Sequence, residues 1–143
     1  MRKSFLILSI FILLALAPCV FGQKSQRVTF RRGATETTIS GKLNNFRDKK
    51  VYVIKVLKGQ ILQTDQIKSE SSARYISVEI TSPSGEDVSD RDASCNNLKE
   101  VSPTEAGDYT ITVYECQKGD RWRGNFKLKV SVKNVPPVID VIK

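Results

Sequence analysis

The chain has 143 residues, 23 Lys/Arg against 15 Asp/Glu, no histidine and three cysteines, for a formal charge of +8. The missing imidazole excludes Ser-His and Cys-His nucleophile pairs and leaves a zinc site short of nitrogen ligands. Basic residues occur singly or in pairs, never in longer runs, so nucleic-acid binding is not indicated.

The N-terminus opens with Arg2 and Lys3, then a nearly unbroken apolar run from 5 to 17. Small residues stand at Val20 and Gly22, and polar Gln23 and Lys24 follow at once. This is the pattern of a secretory signal peptide over residues 1–22, cut after Gly22. The run falls short of the roughly 18–20 residues of a permanent anchor. A lipidated Cys19 is the third reading, but Pro18 occupies a position where a small residue is expected. Cleavage leaves about 120 residues, room for one domain. Losing Arg2 and Lys3 lowers the charge from +8 to +6. That excess favours anionic partners such as cell-envelope glycans; it serves equally well to keep the domain soluble.

After the signal, side-chain character alternates with period two almost throughout. Short candidate strands cover residues 27–30 and 36–43, and "KVYVIKVLKG" (50–59) forms a stronger one. Residues 61–65 and "RYISVEITS" (74–82) follow, then 97–101. "DYTITVYEC" (108–116) sets Tyr109, Ile111 and Val113 against Thr110, Thr112 and Tyr114. "GNFKLKVSVK" (124–133) sets Phe126, Leu128, Val130 and Val132 against Lys127, Lys129, Ser131 and Lys133. Such alternation marks antiparallel strands with one buried face. Turn formers separate them: Arg32-Gly33, Lys58-Gly59, Pro83-Ser84-Gly85, Ala106-Gly107 and Lys118-Gly119-Asp120. About seven or eight strands at this spacing predict an all-β antiparallel sandwich over 23–135. Pro136-Pro137 turns residues 136–143 into an extended tail.

An exported chain with an even number of mature cysteines is expected to bridge them. A redox pair would take the C-x-x-C form, which Cys95 and Cys116 do not have. If 97–101 and 108–115 pair as a hairpin about residues 105 and 106, Cys95 falls opposite Cys116 and Lys99 opposite Thr112. A hairpin split between the two sheets is the alternative, and it also leaves both cysteines at one end. The pair is structural on either arrangement.

"AGDYTITVY" resembles the closing motif of bacterial pre-peptidase C-terminal (PPC) domains. "VTFRRGATETTISGKL" is similar to that family's entry strands, "YVIKVLKGQIL" to its central tyrosine strand, and "YISVEITSPSGE" to the strand before its variable loop. The resemblance covers residues 27–133. It implies a β-sandwich and a non-catalytic binding role, as in stand-alone exported forms such as the periplasmic inhibitors of g-type lysozyme. No cofactor is implied. The cysteine pair and the loop "SGEDVSDRDASCNN" (84–97) depart from those inhibitors, so no inhibitory residue carries over.

Three groups of side chains are candidates for function. Glu86, Asp87, Asp90 and Asp92 cluster in one loop. Two of them would suffice for carboxylate-dependent glycoside hydrolysis if held across a cleft, but a loop tip is a poor frame for that. Asp87, Asp90 and Asp92 are a weak calcium candidate, countered by Arg91 within the cluster and by the ordinary occurrence of solvated acidic loops. Trp122, between Arg121 and Arg123, is the binding candidate. An exposed Trp between guanidiniums suits sugar stacking or a protein interface; the alternative has it folded back over the end of the sandwich. The partner expected is an envelope glycan or a secreted protein such as a lysozyme.

Overall fold

In the computed structural model the described residues are 24–67, 76–89, 95, 98–116 and 123–135. They contain eight strands and no helix: β1 (Ser25–Arg27), β2 (Glu36–Leu43), β3 (Lys49–Val56), β4 (Gln60–Gln66), β5 (Ile76–Thr81), β6 (Lys99–Val101), β7 (Gly107–Glu115) and β8 (Gly124–Asn134). Two four-stranded sheets form, ordered β1-β3-β7-β5 and β2-β8-β4-β6. All pairings are antiparallel except β1 with β3. The all-β sandwich expected from the alternation is the fold.

The inward faces carry that alternation. Tyr52, Ile54 and Val56 of β3 meet Tyr109, Ile111 and Val113 of β7, and across the interior lie Leu62 of β4 with Phe126, Leu128 and Val130 of β8. Each large aliphatic or aromatic side chain removed from water contributes roughly 1.5–3 kcal/mol. Tyr52 and Phe126 meet edge to face, ring centroids 6.4 Å apart. They occupy the space beside Gly41, where an added Cβ would lie 2.5 Å from the Phe126 ring and 2.7 Å from the Tyr52 hydroxyl. Only a residue without a side chain fits there.

The hairpin expected between 97–101 and 108–115 does not form. β6 pairs with β4, Thr64 facing Lys99, while β7 lies in the other sheet between β3 and β5. The cause lies in the connection between them. Thr104 is stitched to the β3–β4 turn: its amide donates to the Gln60 carbonyl, its carbonyl accepts from the Gly59 amide, and its hydroxyl donates to the Leu57 carbonyl. That anchors the end of β6 beside the start of β4. Gly107, at φ +149°, then leads into β7, its Cα side packed on the Pro83 ring. The split arrangement is the one realised.

Candidate binding site

The Cys95–Cys116 disulfide is present, with Cα atoms 4.8 Å apart, a normal separation for the bond. Cys116 directly follows β7 and is buried; Cys95 adopts a left-handed φ of 66°. The registers place the C-terminal ends of β2, β4 and β7 and the N-terminal ends of β3, β5, β6 and β8 together. The bridge closes this end of the sandwich.

Among the described residues, the β2–β3 turn lies at this end. The β2–β3 turn is held by Asp48, whose carboxylate accepts from the amide and the side chain of Asn44, both at 2.9 Å, and from Lys50 at 3.4 Å. Asn45 caps the Arg47 amide. Partial burial works to raise the Asp48 carboxyl, but the Asn44 donors and the Lys50 ammonium outweigh it, and the net direction is below the ordinary aspartate value. Arg47 is exposed on this turn, and Lys49 lies 5.5 Å over the Tyr114 ring. Leu43 faces Gly124 in the register, so exposed Arg123 enters β8 beside the start of the same turn. Ile67, after β4, and Leu98, before β6, add exposed apolar side chains. The described part of this end thus exposes guanidiniums and apolar side chains, residue types that binding surfaces use.

Of the binding candidates, Arg123 is therefore placed and exposed; Arg121 and Trp122 lie outside the described residues, as do Asp90 and Asp92. The acidic loop begins at the other end of the sandwich. Thr81 bridges to Asp87, and the Val88 amide donates to Ile80, so the segment runs back along β5. Of residues 84–97, only Cys95 among those described reaches the bridged end. Asp87 Oδ1 accepts from the amide and hydroxyl of Ser89, at 3.0 and 2.5 Å. Among the described residues no three acids or cysteines gather to hold a metal ion. The β2–β3 turn was not singled out from sequence, although Asn44, Asn45 and Asp48 are the turn formers that could have drawn attention to it.

No family model matches this chain, and no curated protein matches it. Solved structures do. The PliG protein of Aeromonas hydrophila, a periplasmic inhibitor of g-type lysozyme, matches with TM-score 0.60 at 18% identity, over 77% of this chain and 96% of that one. A mutant of the Escherichia coli PliG inhibitor matches with TM-score 0.53 at 18% identity, over 78% and 100%. The pre-peptidase C-terminal domain of a Bacillus anthracis collagenase matches with TM-score 0.49 at 20% identity, over 78% and 96%. At these identities the likeness is one of fold: this chain has the sandwich found in those inhibitors.

Proposed function

We propose that the protein is exported after loss of residues 1–22, has no catalytic activity, and binds a secreted protein through the end of the sandwich closed by the Cys95–Cys116 bridge. A g-type lysozyme is the first partner to test. The observation carrying this reading is that the sandwich extends over 96% and 100% of two chains described as inhibitors of that enzyme. The disulfide agrees with an oxidising compartment. Arg121, Trp122 and Arg123 form the contact surface in this reading, to which the exposed Arg47 of the β2–β3 turn is added, and residues 136–143 are a tail outside it. The test is a g-type lysozyme activity assay with increasing protein. Loss of activity near one equivalent supports inhibition; full activity at a large excess rejects it.

A second reading is an envelope glycan as partner, favoured by the net positive charge and the exposed Arg47 and Arg123. Sedimentation with peptidoglycan tests it, and protein left entirely in the supernatant at low salt rejects it. Trp122 separates both readings from a packing role. Trp122→Ala would weaken binding by about 2 kcal/mol or more if it is an interfacial anchor, with the fold unchanged. If it caps the core, stability would fall by roughly 3 kcal/mol instead.

A further inference from the structure

A sandwich of two open sheets has four edges, and unpaired edges invite strand addition. Three of them are blunted here. β1 and β6 are three residues long, and the segment after Thr81 folds back along β5 through the Asp87 bridge and the Val88 amide. The fourth is β2, eight residues long and, among the described residues, bonded to a strand on one side only, β8.

The bonding phase of β2 follows from one contact. The Val132 amide donates to the Thr35 carbonyl, and the register sets Glu36 opposite Ser131. Bonded pairs alternate in an antiparallel ladder, so Thr37, Ile39 and Gly41 turn their backbone groups toward β8. Glu36, Thr38, Ser40 and Lys42 turn theirs outward. The Tyr52 hydroxyl reaches the Ser40 carbonyl at 3.2 Å, consistent with that oxygen pointing off the edge, and a carbonyl retains capacity for a second bond. The side chains of these same four residues are exposed on the outer face of the sheet. Neither Glu36 nor Lys42 has an ion-pair partner among the described residues.

We propose that β2 is a self-complementary edge through which two copies of this chain associate, antiparallel about a two-fold axis through Ile39. That axis sets Glu36 opposite Lys42 of the partner subunit and Thr38 opposite Ser40 of the partner subunit, each repeated by symmetry. All four residues have outward backbone groups, so the facing positions exchange backbone bonds in phase. Alternative registers are poorer. Centring on residue 36 or on residue 42 brings like charges together, and a one-residue slip sets inward-bonded positions against outward ones. Opposite charges across a strand pair stabilise it and like charges oppose it, so the edge selects one register of one partner, a second copy. Interfaces of this kind are isologous. The surface runs along the flank of the sandwich, its Lys42 end approaching the β2–β3 turn, and the pairing does not depend on which partner the bridged end takes.

The test is the mass in solution of the purified, disulfide-bonded protein, by light scattering and sedimentation from about 1 to about 500 µM. A monomer–dimer equilibrium is expected in that range. The amides of Glu36, Thr38, Ser40 and Lys42 should exchange more slowly as the dimer fills. Thr38→Pro removes only an outward amide, which edge strands tolerate, and should leave a folded monomer. Glu36→Lys alone and Lys42→Glu alone should each weaken association at low salt by roughly tenfold or more. An equimolar mixture of the two should associate again, because each mixed pair restores opposite charges. A monomer at every concentration overturns the proposal. So does a dimer indifferent to the charge variants, or a mixture no tighter than its components. Protection of these amides by a strand of a different protein, with the chain alone remaining monomeric, would overturn the second copy as occupant.

Discussion

At Gly41 the interior has no room for a methyl group, because the Tyr52 hydroxyl and the Phe126 ring already fill that volume. Gly41→Ala must push one of them off its rotamer, which costs about 1–3 kcal/mol in a packed core. Urea unfolding of the variant should show a lower midpoint with an unchanged slope. Tyr52→Phe loses the bond to the Ser40 carbonyl and should cost about 1 kcal/mol. Combined with Gly41→Ala it should cost less than the sum, since the two changes share one atom's space. Titration offers a second check at this scale. Burial raises the Tyr52 phenol above its ordinary value, and burial followed by the Glu79 and Asp87 carboxylates raises Tyr114. A raised phenol favours the folded state while neutral, so its contribution is complete below the unfolded value of about 10. It is lost as pH climbs through the folded value, and tyrosinate absorbance should rise late and together with unfolding. Asp48 behaves oppositely. Its lowered carboxyl stabilises the fold above the unfolded value of about 3.9 and is lost as pH falls through the folded one. Asp48→Asn should therefore lower the thermal midpoint at pH 7, with the gap to the unsubstituted protein closing toward pH 2. A gap independent of pH would show that Asp48 acts through its shape rather than its charge.

Among the elements, the bridge carries the most direct prediction. Cys95 and Cys116 lie 21 residues apart, and closing a loop of that size restricts the unfolded chain by about 3 kcal/mol in the chain-entropy model. The Cys95→Ser, Cys116→Ser double variant should unfold at a clearly lower temperature, and reduction of the unsubstituted protein should reproduce the drop. Equal midpoints would mean that the sheets alone hold this end. The strands themselves were legible because one side of each sheet is wet: for β7 and β8 the expected spans agree with the structure to within a residue, whereas the expected 50–59 runs three residues past the end of β3 at Val56. β1 was read at 27–30 and lies at Ser25–Arg27, since Val28 and Phe30 pack on the core after the strand has ended. Alternation reports which face is buried and is silent about which sheet a strand joins. The pairing of β6 with β4 depends on Thr104 reaching the turn at residues 57–60, a contact between segments far apart in the chain. The site was legible to the same degree. Cysteine arithmetic located the bridge, whereas Arg47 enters the site only through the register that brings Arg123 beside the β2–β3 turn.

For the molecule as a whole, the question is whether its positive charge acts as a net quantity or from one end. The excess of +8 is distributed. Arg47, Lys49 and Arg123 stand at the bridged end, while Arg31, Arg32 and Lys58 belong to turns at the opposite end. Removing two charges from either end changes the net charge equally. The ends are separated by the length of an eight-residue strand, about 26 Å at 3.3 Å per residue, whereas charges are screened over about 8 Å at physiological ionic strength. On the proposal that the partner is a g-type lysozyme, Arg47→Ala with Arg123→Ala should therefore slow association at that salt and flatten its salt dependence. Arg31→Ala with Arg32→Ala should leave the rate nearly unchanged. At about 0.01 M salt, where screening extends to roughly 30 Å, both double variants should slow association, because steering there samples the whole field. Stopped-flow association rates at the two ionic strengths read this directly. If the opposite-end pair slows binding as much as the bridged-end pair at physiological salt, the contact surface is not at the disulfide end.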